Sequence, residues 1–201
     1  MSNHYFTRHP TSGKRKGLVK CILRGREFQF LTSSGVFSSR KLDNGTRLLI
    51  ENMTVPSKGR FLDLGCGYGP IGIVAASLQP DIQVWMTDIN ERAVKLAKAN
   101  AKKSKVKNVV IEQGNLYSPV EGMTFQTIVS NPPISAGMKR IVSPMVREAP
   151  EYLSPGGSLQ MVVQSNKGGK TLRGYMEETF GSVEIVTRGS GYRVFSSVKQ
   201  F

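Results

Sequence analysis

Acidic residues, cysteine and histidine are all scarce in this chain. Its two cysteines, Cys21 and Cys66, form no disulfide framework, which points to a reducing, cytoplasmic setting. The two histidines, His4 and His9, lie near the N-terminus in a polar stretch and make poor metal ligands, so no metal is expected. No apolar run is long enough to span a bilayer. The first ten residues carry no apolar segment of the signal-peptide type. No internal repeat or linker divides the 201 residues, a length that buries its own core as one domain.

Lysine and arginine total 28 against 14 acidic residues, giving a formal charge of +14. Such an excess favours polyanions, chiefly RNA or DNA, through phosphate contacts and counterion release. The plain alternative is a basic chain without functional meaning. An anionic membrane surface fits less well, because no strong basic amphipathic helix with aromatic anchors is evident. A monomer or a homodimer is expected.

Residues 1 to about 20 are polar and basic, with Gly13-Lys-Arg-Lys-Gly17 in the middle, and read as an arm. Val19–Leu23 and Glu27–Leu31 flank Arg24-Gly25-Arg26 and predict a hairpin. Asp43 or Asn44 is placed to cap a helix through Leu48–Glu51. From residue 56 an α/β pattern begins, so residues 1–55 read as an N-terminal arm, hairpin and capping segment on a core of residues 56–201. Strands are expected at Arg60–Leu64, Ile82–Thr87, Asn108–Glu112, Thr124–Ser130 and Ser158–Gln164. Helices are expected after Pro70, at Glu91 to about Lys103, from Met138 to Tyr152 with a kink near Ser143-Pro144, and at Thr171–Phe180. Ser154-Pro-Gly-Gly157 reads as a turn. Val183–Arg188 and Tyr192–Val198 form a closing hairpin. Alternating strands and helices argue for a doubly wound α/β sheet.

One stretch organises this pattern: Asp63-Leu-Gly-Cys-Gly-Tyr-Gly-Pro-Ile-Gly72. An apolar strand enters it and an apolar helix leaves it. Gly65, Gly67 and Gly69 let the backbone turn sharply and a ligand approach closely, while the helix N-terminus offers free N–H groups. Gly67 to Gly72 also fits G-x-G-x-x-G, with Asp88 near the ribose-binding position. Alone, this does not separate a nicotinamide enzyme from other nucleoside-binding α/β proteins. Cys66 in the turn is read as a packing residue, since no histidine lies nearby in sequence.

Asn131-Pro132-Pro133-Ile134, at the end of a later strand, makes the separation. With the glycine motif it resembles class I S-adenosylmethionine-dependent methyltransferases. Within that class it resembles the RsmC-like family, which methylates guanine N2 in small-subunit ribosomal RNA. It runs from Phe28 to Val198. The resemblance implies a Rossmann-like fold with a seven-stranded, mostly parallel sheet, an antiparallel last strand and a short N-terminal β extension. It also implies S-adenosylmethionine as cofactor and ribosomal RNA or the small ribosomal subunit as partner. By the same resemblance, Gly65, Cys66, Gly67, Tyr68 and Gly69 hold the methionine part and ribose, and Asp63 helps to position the ammonium. Asp88 accepts hydrogen bonds from the ribose hydroxyls, as an acceptor-only carboxylate does; its alternative is a helix cap. Ile89, Asn115 and Leu116 lie by the adenine, with Asn115 where relatives often carry Asp. The segment with Gly-Val-Phe-Ser and Asp-x-Gly closes over cofactor and base, making Phe37 a candidate for base packing.

Asn131, Pro132, Pro133 and Ile134 are the catalytic candidates. An exocyclic amine on a base is a poor nucleophile, because its lone pair is delocalised into the ring. The Asn131 side-chain oxygen and the Pro132 carbonyl have the chemistry to accept the two amino hydrogens. The prolines stiffen the backbone that carries them. Ile134 resembles the guanine-N2 group, where adenine-N6 enzymes often carry an aromatic. Relatives commonly show Arg where this chain has Ser135, and Lys139 and Arg140 are candidates to replace it at the RNA. Other readings stay open: amino-group methylation of transfer RNA, DNA or a protein glutamine, a non-catalytic RNA-binding module, or a nicotinamide-dependent oxidoreductase.

Overall fold

The computed structural model describes residues 16–38 and 41–200. Most of the expected N-terminal arm lies outside the described residues. Its last part does not behave as an arm, because β1 (Lys16–Leu23) begins at Lys16 and pairs in register with β2 (Arg26–Ser33). Arg24 and Gly25 make the turn at φ 49° and 73°, the left-handed pair of a two-residue hairpin.

The hairpin's inner face, Val19, Leu23, Phe28 and Phe30, is buried. Arg24 fastens the turn to α1 (Asn44–Asn52), donating from Nε to the Ile50 carbonyl at 2.7 Å and from Nη2 to the Met53 carbonyl. A cation there also suits the negative end of the helix. Asp43 caps the other end, accepting from the Thr46 N–H at 2.9 Å.

The main sheet has seven strands. They are β3 (Gly59–Leu64), β4 (Ile82–Asp88), β5 (Val109–Gln113), β6 (Phe125–Ser130), β7 (Leu153–Gln164), β8 (Glu184–Gly189) and β9 (Tyr192–Val198). Their order is β5-β4-β3-β6-β7-β9-β8. The β3–β7 pairings are parallel, while β9 runs antiparallel between β7 and β8. This matches the expected Rossmann-like sheet with its antiparallel last strand. Helices α2 (Pro70–Leu78) and α3 (Glu91–Lys103) follow β3 and β4. Two buried apolar clusters form, one including α2, α3, α1 and the hairpin, the other the helices after β6.

Two stretches differ from expectation. The helix expected over residues 138–152 is broken into a π-turn (Met138–Val142), α4 (Ser143–Arg147) and α5 (Ala149–Tyr152). Pro144 and Pro150 each stand in the first turn of a new segment, where a missing N–H costs no ladder bond. The expected turn at residues 154–157 is absorbed into β7. Leu153 pairs with Phe125 and Ser158 with Thr127, so the residues between bulge out. Gly157 permits this, since a Cβ there would lie 2.8 Å from the Ser154 carbonyl oxygen. The last helix, α6, spans Gly169–Phe180.

Asn100 of α3 joins the hairpin to the sheet. Its fully buried side chain accepts from Leu31 N–H at 2.7 Å and donates to the Leu31 and Tyr68 carbonyls at 2.9 and 2.8 Å. One amide thereby extends the edge of β2 and holds the glycine turn. Asn100→Ala leaves these backbone groups without partners and should lower the unfolding free energy by about 2–3 kcal/mol in a denaturant titration; a change under about 0.5 kcal/mol would contradict the assignment.

Candidate active site

Neighbours β3 and β6 lie where the chain's progression across the sheet reverses, and ligands bind at such switch points outside the carboxyl ends of the strands. A cavity of about 330 Å³ opens there, within the roughly 300–1,000 Å³ usual for small-molecule sites.

The glycine turn forms its floor. Gly65 and Cys66 N–H groups both donate to the Thr87 carbonyl, at 2.8 and 2.9 Å. Gly67 takes φ 58°, and its N–H donates to Asp88 Oδ2 at 2.8 Å. Gly72 lets α2 pack close to β4, because a Cβ there would sit 2.7 Å from Met86 Cγ.

Asp88 lines the cavity, and its Oδ1 accepts from the Asn90 N–H at 2.8 Å. The cap of α3 is Asn90, which accepts from the Arg92 and Ala93 N–H groups. The alternative of Asp88 as the helix cap is therefore overturned. Burial pushes the Asp88 carboxyl up to about 6, against the pull of its two N–H partners. Asp63 is fully buried and outside the cavity lining. Its Oδ2 accepts from the Gly72 N–H at 2.9 Å, and its Oδ1 has no hydrogen-bond partner among the described residues. Burial, with the Asp88 charge adding to it against the Gly72 N–H, pushes Asp63 up to about 7. Asp88 keeps a part-open face, which suits its smaller displacement.

Cys66 and Tyr68 line the cavity but offer little chemistry to it. Burial and the Asp63 and Asp88 charges push the Cys66 thiol far up, which keeps it protonated and inert. The Tyr68 ring is buried and tilts against Phe30 at 5.8 Å between centroids. Gly69 lies outside the lining, as the cap of α2. Ile89, Asn115 and Leu116 line one wall, beside Gly114.

Asn131, Pro132 and Pro133, directly after β6, also line the cavity. Asn131 Nδ2 donates to Asp43 Oδ2 at 3.0 Å and to Thr46 Oγ1 at 2.8 Å. The Pro132 carbonyl accepts from the Ile134 N–H at 2.9 Å, so one of its two lone pairs is taken. Ile134 is outside the lining and faces the turn at Gly168, where a Cβ would lie 3.6 Å from Ile134 Cγ2. Phe37 and Arg140 reach the cavity, whereas Lys139 borders a neighbouring depression with Arg147 and Tyr175.

Sequence reasoning missed the residues that hold the Phe37 segment in place. Asn90 Nδ2 donates to the Gly35 carbonyl at 2.9 Å, and Arg92 Nη1 to the Ser34 carbonyl at 2.6 Å. It also missed Thr46 and Tyr192, which meet at Asp43 beside Asn131. The Asp-x-Gly spacing was the one available signal. Among the described residues, no group of three or more His, Cys, Asp or Glu is placed to hold a metal ion, and no helix is long and apolar enough to cross a membrane.

The family model described as methyltransferase small domain matches residues 27–196. The chain belongs to that family. It is 39% identical over 201 residues to the uncharacterized protein YbxB of Bacillus subtilis, covering 99% of this chain and 100% of that one. It is 33% identical over 173 residues to ribosomal RNA small subunit methyltransferase C of Photorhabdus laumondii, covering 85% of this chain and 50% of that protein. The chain thus spans about half the length of these ribosomal RNA methyltransferase relatives. Among solved structures, the T. thermophilus 16S rRNA N2 G1207 methyltransferase, in complex with AdoMet and guanosine, superposes at TM-score 0.82 with 24% identity, covering 95% of this chain and 52% of that one. That likeness shows the methyltransferase small domain fold.

The two raised carboxyls give this methyltransferase a pH signature. Their folded values, about 7 for Asp63 and about 6 for Asp88, lie above the ordinary 3.8. The folded state therefore holds more protons in this window, and stability contributed by the protonated groups is lost as pH rises through 6 and 7. Thermal melts of the ligand-free protein should show the wild type losing stability relative to Asp63→Asn as pH rises from about 5 to about 8. A pH-independent difference would contradict the burial of an ionisable Asp63.

Proposed function

We propose that this methyltransferase moves a methyl group from S-adenosylmethionine to the exocyclic N2 amine of a guanine in small-subunit ribosomal RNA. The observation that carries the reading is one cavity lined both by the glycine turn with Asp88 and by Asn131-Pro132-Pro133.

The residues present fit the cofactor. The Gly65 and Gly67 backbone leaves room for close approach, and Asp88 keeps lone pairs for ribose hydroxyls. Asp63 and Asp88 place two carboxyls under a molecule that carries an ammonium and a sulfonium. Bound there, S-adenosylmethionine supplies an electrophilic methyl group. Binding such a cation favours the ionised carboxylates. Ile89, Asn115 and Leu116 are assigned to the adenine.

In the same cavity, Asn131 Oδ1 and the remaining lone pair of the Pro132 carbonyl accept the two amino hydrogens of the target base. That draws the nitrogen toward a tetrahedral shape, with its lone pair turned to the methyl group. The amine proton leaves after transfer, so no strong base is required. Pro133 stiffens the turn, and Phe37 and Arg140 are assigned to the base and its flanking phosphates. A base paired in its RNA would be flipped out to reach this depth. The charge of +14 suits ribosomal RNA as partner, and two free thiols suit a cytoplasmic setting.

The test is transfer of labelled methyl to small ribosomal subunits lacking the modification, to naked ribosomal RNA and to transfer RNA, followed by nucleoside analysis. Label should appear in N2-methylguanosine from ribosomal RNA. Asn131→Ala should reduce transfer by about 100-fold or more while cofactor affinity changes little. Label confined to transfer RNA, or recovered as N6-methyladenosine, would overturn the substrate assignment.

A further inference from the structure

Asn131 belongs to a cluster drawn from three distant parts of the chain. Asp43 caps α1, and its Oδ2 accepts from the Thr46 N–H at 2.9 Å and from Asn131 Nδ2 at 3.0 Å. Thr46 Oγ1 stands 2.8 Å from the same Nδ2 and donates to Asp43 Oδ2 at 3.4 Å. Tyr192, at the start of β9, donates its hydroxyl to Asp43 Oδ1 at 3.2 Å. The Tyr192 ring lies against Gly45, where a Cβ would come within 2.7 Å of it and 2.9 Å of Asp43 Oδ2. Gly45 thus leaves room for Tyr192 and Asp43 to meet.

The two ends of an asparagine amide have nearly the same shape and opposite chemistry. A carboxylate has only acceptors. The end of Asn131 that faces Asp43 must therefore be the NH2 group, and Oδ1 must point the other way. Asp43 and Thr46 take the two Nδ2 protons. Oδ1 has no hydrogen-bond partner among the described residues, and Asn131 lines the cavity. If the amide turned over, it would set its oxygen against a carboxylate and offer donors to an incoming amine.

We propose that Asp43 is a positioning residue for methyl transfer. Its charge fixes the Asn131 amide with Oδ1 toward the substrate, and Tyr192 holds Asp43 in place. The assignment rests on the methyltransferase reading of Asn131. Asp43 itself lies outside the cavity lining. The N-terminal segment, outside the doubly wound core, therefore sets the polarity of the group that receives the amine.

Asp43→Gly tests this, because glycine at an N-cap costs the helix little, yet it removes the carboxylate and leaves Asn131 facing Thr46 Oγ1, which can donate or accept and gives the amide no preferred sense. Its kcat should fall about 10- to 100-fold, the range of one hydrogen bond to a charged group, while KM, cofactor affinity and melting temperature stay near wild type. Tyr192→Phe should give a smaller fall, about 3- to 10-fold. Independently of turnover, the Asn131 side-chain NH2 signals, assigned by their loss in Asn131→Asp, should exchange slowly with solvent in the wild type and quickly in Asp43→Gly. Unchanged kcat in Asp43→Gly, or fast exchange in the wild type, would overturn the proposal. If the wild type methylates no RNA but the exchange pattern holds, the orientation by Asp43 stands and the function reading fails.

Discussion

Two carboxylates at the ends of neighbouring strands hold the glycine turn in shape. Asp63 takes the Gly72 N–H and Asp88 takes the Gly67 N–H. The turn is a concave run of backbone with few side chains, and buried amides must find acceptors. The sheet supplies them from below through Asp63, Asp88 and the Thr87 carbonyl. Holding charge there is unfavourable without a counter-charge, which is why burial raises both carboxyls. The same feature suits the floor to a cationic ligand.

The N-terminal segment completes the opposite side. Arg24 ties the hairpin to α1, Asn100 ties it to the glycine turn, and Asn90 with Arg92 fastens the Ser34–Gly35 backbone. Each link joins residues more than twenty-five positions apart through a side chain bonding to a backbone carbonyl. The result brings Phe37 and Asp43 to the strand ends without adding a strand to the main sheet.

Much of this was legible in the sequence. Strand and helix succession along the chain followed from apolar runs bounded by Gly, Pro and Asp, and the seven-stranded, mostly parallel sheet with its antiparallel last strand followed from the family resemblance. The cavity walls were found because strand-end residues such as Asp88 and Asn131 occupy fixed places in a doubly wound sheet. The broken helix over 138–152 was not read, because Pro144 and Pro150 mark new starts only when the chain around them bends. Ile134 was expected at the base and instead faces Gly168, since the turn after Pro133 swings it away. The contacts of Asp43 with Thr46, Asn131 and Tyr192 span up to 149 positions, and no periodicity in one sequence encodes such a meeting.

The central claim is that the cavity between the glycine turn and Asn131 receives S-adenosylmethionine. Isothermal titration of the wild-type protein tests it most directly. The account predicts one saturable site per chain for S-adenosylmethionine, competed by S-adenosylhomocysteine, with no binding of a nicotinamide dinucleotide. No binding of S-adenosylmethionine, or binding of the dinucleotide in its place, would contradict it.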